Sequence, residues 1–461
     1  MSCRAVHRWP WLFSLSFLFI ASLCFVPGLT SAHIGSLSAP QQEISVPTWL
    51  FLMTGGGVIG GSFLLASFVT DRQFIRGLHS AHRLFDPTTR FAIPSMRVLG
   101  VLSLLTVLAF GFFGPTEPLV NLAVLIVWGA WWSGYSITTY LLGNSWSVLN
   151  PWRTIAEWLP RGDYDYPERL GAWPSVVALL GLVWIEVVSP LASDPRLLAV
   201  VVLAYTIVTI AGAVAFGNET WFRLVDPAAR VFRYYGRVAP FTRTEDGFRF
   251  RLPGSALTET KLVDGLDEVA FIVALLWVTS YDGFVATPLW RSLAIPLVEA
   301  GLPAVILYPL ALAVGFGVFL FAYRIATRYS KRHAETYLTI GEITRRFAPS
   351  LLPIAVGYHL AHYLGYLLRL LPMLLSALTD PLSPGIPLRL VLPAWFGGLE
   401  LAFVLLGHLL AIWIAHAIAY EVFPSRLQAI KSQYALTVVM VLYTVISLYI
   451  VSQPVINPPY I

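Results

Sequence analysis

An all-α, polytopic transmembrane helix bundle is the fold class this sequence predicts, and three observations carry that expectation. Apolar residues make up 57% of the chain and charged residues 12%, against roughly 25% charged in soluble domains. Apolar runs close to the roughly 20 residues needed to cross a bilayer recur along the whole length. The connections between them are too short for a separate globular core, so residues 33–461 read as one transmembrane domain. The net charge of +5 resides in Arg and Lys between the apolar runs, where insertion topology accounts for it and nucleic acid is not needed as a partner.

The first element is a leader. Arg4 and Arg8 form a basic start, Trp11 to Val26 an apolar centre, and Thr30-Ser31-Ala32 a small-residue exit before His33. Residues 1–32 therefore read as a signal peptide, with a retained signal anchor as the alternative, and both place residues 34–47 outside. Cys3 and Cys24, the two cysteines of the chain, fall in this segment, so a processed chain carries no thiol and no disulfide.

Ten spans are expected after the leader, at about 47–69, 97–114, 118–142, 173–191, 197–216, 266–287, 303–323, 349–371, 394–418 and 434–452. With His33 outside, 24 Arg and Lys residues fall in the inner connections and four on the outer side. That asymmetry sets the orientation in a cytoplasmic membrane, with the C-terminus outside as well.

The inner loops share a weak repeat: Asp86-Pro87-Thr88-Thr89-Arg90, Asn150-Pro151-Trp152-Arg153 and Asp226-Pro227-Ala228-Ala229-Arg230. Asp or Asn before Pro starts a helix, because the side chain caps free amides and Pro occupies the first turn without losing a needed donor. Trp152, Ile155, Trp158 and Leu159 can share one face of such a helix, and Arg230, Arg233 and Arg237 recur beside Phe232 and Tyr235. Short helices lying on the inner leaflet, with anionic lipid headgroups as partners, are expected there.

Small residues predict close helix crossings at Gly56/Gly60 and Gly57/Gly61, at Gly357/Ala361/Gly365 and at Gly407/Ala411/Ala415. The last two ridges adjoin the histidines that most invite a chemical reading. Four of the nine histidines, His359, His362, His408 and His416, lie in two apolar runs, and an ionisable group at membrane depth marks a functional-site hypothesis. His359 and His362 are about 60° apart on a helix and can face one partner together; His408 reaches their depth, while His416 lies about 12 Å further in. Neutral imidazoles suit copper, zinc or iron. His359, His362 and His408 are thus candidate metal ligands, with His416 and His33 as further candidates. Alternatively, a haem takes one axial histidine from each helix, such as His362 and His408, or the rings hydrogen-bond across helix interfaces. If cleavage exposes His33, its amine and ring could chelate copper as part of a histidine brace.

Carboxylates offer a rival function. Glu186, Asp282 and Glu400 fall within or near the ends of apolar runs and are candidates for a proton or substrate pathway. Arg369 can pair with Glu400. His333 sits in a basic inner loop and is expected to be solvated.

Ala32-His33-Ile34-Gly35 before Val46-Pro47-Thr48-Trp49-Leu50, Gly143-Asn144 to Asn150-Pro151-Trp152-Arg153, Ser280-Tyr281-Asp282-Gly283 with Thr287-Pro288-Leu289-Trp290, and Gly407-His408 to Ala415-His416 together suggest a family. The chain resembles, over nearly its whole mature length, polytopic membrane proteins of actinobacteria and archaea that often carry the label fenitrothion hydrolase. The resemblance implies hydrolysis of organophosphate esters and transfers no catalytic residues. The residues themselves show no nucleophile elbow and no His-x-Glu deaminase-like signature. The sequence reading therefore centres on copper or haem binding in metal handling or electron transfer, with secondary transport through the carboxylates as the alternative.

Overall fold

The computed structural model describes residues 48–80, 82–85, 92–162, 164–244, 247–260, 262–383, 385, 390–393, 395–454 and 456–460. The leader, His33 and the first Asp-Pro repeat at 86–90 lie outside the described residues. In chain order the elements are α1 (Thr48–Ala66), α2 (Arg72–Ser80), β1 (His82–Phe85), α3 (Ala92–Phe113), α4 (Leu122–Val124), a π-helical segment (Leu125–Tyr135), α5 (Ser136–Leu141), α6 (Trp146–Leu149) and α7 (Pro151–Glu157). Next come α8 (Trp173–Val188), α9 (Pro195–Phe216), α10 (Asn218–Leu224), α11 (Pro227–Val238), β2 (Phe241–Thr244), β3 (Gly247–Arg251), α12 (Leu266–Val285) and α13 (Pro288–Glu299). The last five are α14 (Ala304–Ala334), α15 (Ile340–Phe347), α16 (Leu352–Thr379), α17 (Phe396–Val422) and α18 (Arg426–Ser452).

Among the described residues, seven helical stretches are long and apolar enough to cross a membrane: α3, α9, α12, α14, the 40-residue stretch that ends with α16, α17 and α18. The apolar parts of α1 and α8 are shorter, and the stretch expected at 118–142 is divided by the π segment. The chain is thus an all-α membrane protein with a polytopic bundle.

Local sequence accounts for the helix starts. Asn150 accepts from the Arg153 amide at 3.1 Å with Pro151 in the first turn of α7, and Asp226 accepts from the Ala229 amide at 2.6 Å before Pro227 in α11. Both caps were expected from the Asx-Pro repeat. The helix that Asp226 caps departs from expectation. α11 is not a helix lying on the leaflet: Val231, Phe232, Tyr234, Tyr235 and Arg230 are all buried. Arg230 donates to the Arg223 carbonyl at 2.6 Å and lies 3.3 Å from Glu268 at the start of α12, with its guanidinium over Phe271. A buried charge persists where it is paired and hydrogen-bonded, so Arg230 is held inside and is not offered to headgroups. Arg233 and Arg237 remain partly exposed beside Glu268 and Glu259.

A small antiparallel sheet, ordered β1-β3-β2, joins the loop after α2 to the loop after α11. α12 is the most enclosed of the long apolar helices, with 89% of its apolar window buried. A close crossing joins α16 to α17 at Gly357 and Gly407, where a Cβ on Gly357 would stand 2.8 Å from the Gly407 Cα and 2.6 Å from the Phe403 carbonyl. Two ridges foreseen from small-residue spacing meet at that point, and only glycine permits the approach.

Candidate functional site

The site begins with helices that part company. α8 packs on α12 and α14, whereas the next helix, α9, packs on α3 and α7. Between them lies a cavity of about 390 Å³, within the range of ligand pockets. Leu104, Val107, Leu179, Leu198, Val201 and Val202 form much of its apolar wall.

Its aromatic wall comes from the π segment and α6. Ser133 donates its hydroxyl to the Trp128 carbonyl at 2.9 Å. Wider turns rotate side chains relative to an α-helix, and π segments recur at functional sites. Trp128, Trp131, Trp132 and Tyr135 of this one segment all line the cavity, joined by Trp146 and Trp152. Trp152 is oriented by donating its indole N–H to Thr206 at 2.8 Å. Asn121 fixes the start of the segment by capping α4 and donating to Phe110 and Pro115 carbonyls at 2.9 and 2.6 Å.

Glu186 of α8 and Asp282 of α12 both line this cavity and are 7% and 5% exposed. Tyr363 of α16 donates its hydroxyl to Asp282 Oδ2 at 3.2 Å, and His362 Nε2 lies 3.4 Å from the same oxygen. Glu186 and Asp282 are both electrostatic neighbours of Tyr281, Tyr363 and Tyr366. The cavity wall includes no Arg, Lys or His among the described residues, so these carboxylates set its electrostatic character.

Two of the three expected pathway carboxylates are therefore brought together. Glu400 is elsewhere: it is buried on α17, its Oε1 against Gly365, and it is an electrostatic neighbour of Arg369, the partner foreseen for it.

The histidines disperse among different partners. His359 is fully buried inside a box of Trp132, Tyr140, Tyr235 and Tyr363 rings. Its Nδ1 is 3.2 Å from the Tyr140 hydroxyl; the Trp132 main chain is another polar neighbour, although Nε2 makes no hydrogen bond of good geometry. His408 binds the Val404 carbonyl of its own helix through Nδ1 at 2.8 Å, and its buried Nε2 has no hydrogen-bond partner. His416 uses both ring nitrogens, at 2.9 Å from the Val69 carbonyl and 3.3 Å from Gln433 Oε1. Among the described residues, no group of three His, Cys, Asp or Glu side chains is arranged to hold a metal ion.

Sequence reading missed the π segment, although Trp128, Trp131 and Trp132 around Gly129 and Gly134 were a visible signal. It also missed His79 of α2, which stacks on Trp413 with ring centroids 6.0 Å apart. Burial pushes the His79 pKa down. Searches against family models, curated proteins and solved structures give no match for the chain.

Proposed function

We propose that this chain is a secondary transporter of the cytoplasmic membrane, crossing it ten times with both mature termini outside. Its solute occupies the cavity between α8 and α9, and Glu186 and Asp282 exchange protons or carry the solute's charge. One observation supports this reading above the others: carboxylates from two different helices converge on one roomy cavity within the bundle. Intramembrane carboxylates facing a cavity are characteristic of ion and proton routes. His362 and Tyr363 supply Asp282 with two polar neighbours that can respond to its protonation.

The test is proton movement in proteoliposomes bearing a pH gradient, challenged in turn with amines, carboxylic acids and neutral aromatics. Wild type should move protons with one of these classes, and Glu186→Gln should slow that flux by about 100-fold or more, the scale on which a positioned proton-transfer group contributes. Equal flux in wild type and variant, with both folded, removes Glu186 from the pathway. Orientation is tested separately by impermeant thiol labelling of intact cells: Glu299→Cys, after α12, should label, and Tyr337→Cys, between α14 and α15, should be protected.

A second reading has its own support. His359 and His408 sit on the two helices that touch at Gly357 and Gly407, each with Nδ1 engaged and a buried Nε2 lacking a hydrogen bond. A ring whose other nitrogen is already held is what a metal-ligating or haem-ligating histidine needs. Copper or haem bound by gently purified protein should then be lost in both His359→Ala and His408→Ala. Retention in either variant ends a shared site.

A further inference from the structure

We infer that the cavity between α8 and α9 takes an uncharged, lipophilic molecule with a flat aromatic body. This rests on the cavity being the solute site, adds the chemical class of the solute, and leaves proton exchange as the work of the carboxylates. The space, about 390 Å³, suits a small organic molecule, and its wall is apolar over most of its surface. Aliphatic side chains such as Leu104, Val183 and Val202 meet rings from the π segment, α6 and α7, among them Trp131, Trp146 and Trp152. These rings form a connected, preformed surface. Trp146 lies 5.8 Å from Trp131 and 6.1 Å from Trp152 between centroids, Trp131 stands edge-on to Phe232 at 5.6 Å, and Trp152 is held by Thr206.

The charged groups on the wall are engaged within the protein. Asp282 receives the Tyr363 hydroxyl at 3.2 Å and faces His362 Nε2 at 3.4 Å, and Glu186 is an electrostatic neighbour of Tyr281, Tyr363 and Tyr366. A charged ligand would give up its hydration for an apolar wall and for carboxylates that already have partners, a cost that an uncharged ligand does not meet. The aromatic body follows from the medium. Lipid tails are as apolar as an aliphatic side chain, so a molecule arriving from the bilayer gains little by exchanging one for the other. Edge-to-face and offset contacts between rings add attraction beyond area, and a wall rich in fixed rings offers an aromatic solute what lipid cannot.

Pyrene, 1-pyrenesulfonate and (1-pyrenylmethyl)trimethylammonium share one flat ring system and differ in charge. Each accepts excitation from tryptophan, so transfer from protein to probe reports occupancy beside the indole wall. Titration of the full-length protein in nanodiscs, with empty nanodiscs as blank and affinities compared at equal probe content of the bilayer, should show saturable transfer to pyrene. Both charged probes should bind at least about tenfold more weakly, the consequence of an uncompensated desolvation. Unlabelled pyrene should displace radiolabelled pyrene about threefold better than perhydropyrene, its saturated analogue, the margin that ring contacts add. Val183→Phe and Val202→Phe, which fill the cavity from α8 and α9, should each weaken pyrene binding by at least about tenfold. Leu203→Phe, at an exposed position of α9, should leave it unchanged. Thermal melts confirm that each variant is folded. Absence of saturable transfer to pyrene, equal or tighter binding of either charged probe, equal displacement by perhydropyrene, or wild-type affinity in folded Val183→Phe and Val202→Phe overturns the inference. Saturable pyrene binding without proton flux would end the transport reading and leave this one standing. Proton-coupled flux of an amine or a carboxylic acid without pyrene binding would do the reverse.

Discussion

The cavity between α8 and α9 and the seam between α16 and α17 place polar residues at membrane depth in opposite ways. At the seam, Gly357 and Gly407 bring two backbones so close that no Cβ fits, and nearby histidines are enclosed by packing and local hydrogen bonds. At the cavity, consecutive helices choose different neighbours and leave about 390 Å³ lined by indoles and two carboxylates. An ionisable group in a close-packed seam is a structural element unless something displaces its partners. The same group on a roomy wall can meet a solute. Room, more than residue type, separates the carboxylate site from the histidine site in this chain.

The sharpest way to break that comparison is to add bulk to both regions. Gly407→Val at the seam would put its Cβ 2.5 Å from the Pro353 carbonyl and 2.9 Å from the Gly357 Cα. Backbone cannot step aside as a flexible side chain can, so a loss at or above about 3 kcal/mol is expected, the upper range for overpacking. Val183→Phe on the cavity wall adds more atoms into existing space and should change stability by less than about 1 kcal/mol, while obstructing solute. Thermal melts of the two variants under matched conditions check the contrast. Comparable destabilisation would mean that the cavity closes up in the membrane.

Much of this contrast was legible in the sequence, and the illegible part has a physical cause. The small-xxx-small ridges at Gly357 and Gly407 announced the seam, because close approach demands small residues at helical spacing. Glu186 and Asp282 stood out as carboxylates in apolar runs, and Asn150 and Asp226 as caps. Their convergence was not legible: it depends on α8 and α9 diverging, which is a property of tertiary packing. Sequence spacing likewise placed His359, His362 and His408 at one depth but could not say which neighbours would engage each ring. Arg230 shows the same limit from the other side. Its position in an i, i+3, i+7 basic stripe suggested a face turned to anionic headgroups, whereas Glu268, 38 residues later, pairs with it inside the protein.

A smaller effect sharpens the contrast between histidines. His416 holds the Val69 carbonyl and Gln433 across helices, so His416→Ala leaves buried polar groups without a partner and should cost about 1–3 kcal/mol. His362 has a side chain 27% exposed and shares Asp282 with Tyr363. His362→Ala should therefore cost less stability than His416→Ala while changing solute binding or flux. The reverse ranking in paired melts and binding assays would place the working histidine at the seam.

The last effect to separate is pH-dependent and lies at the end of the cavity where Asp226 precedes the lining residues Pro227 and Ala228. Burial raises the Asp226 pKa from 3.8 to about 6, against the opposing pull of the Tyr205 hydroxyl and the amides it caps. The folded chain thus holds this proton more tightly than the unfolded chain. Between about pH 4 and pH 6 the unfolded state has lost the proton while the folded state retains it, so the contribution of this group to stability falls as pH rises through that window. Above about pH 6 both states are ionised and the contribution becomes flat. Asp226→Asn keeps an oxygen for the helix cap but cannot ionise, so its melting temperature relative to wild type should rise across the same window and then level off. A constant difference from pH 4 to pH 7 would show that Asp226 does not titrate there, and that this end of the cavity is wet enough to solvate its charge.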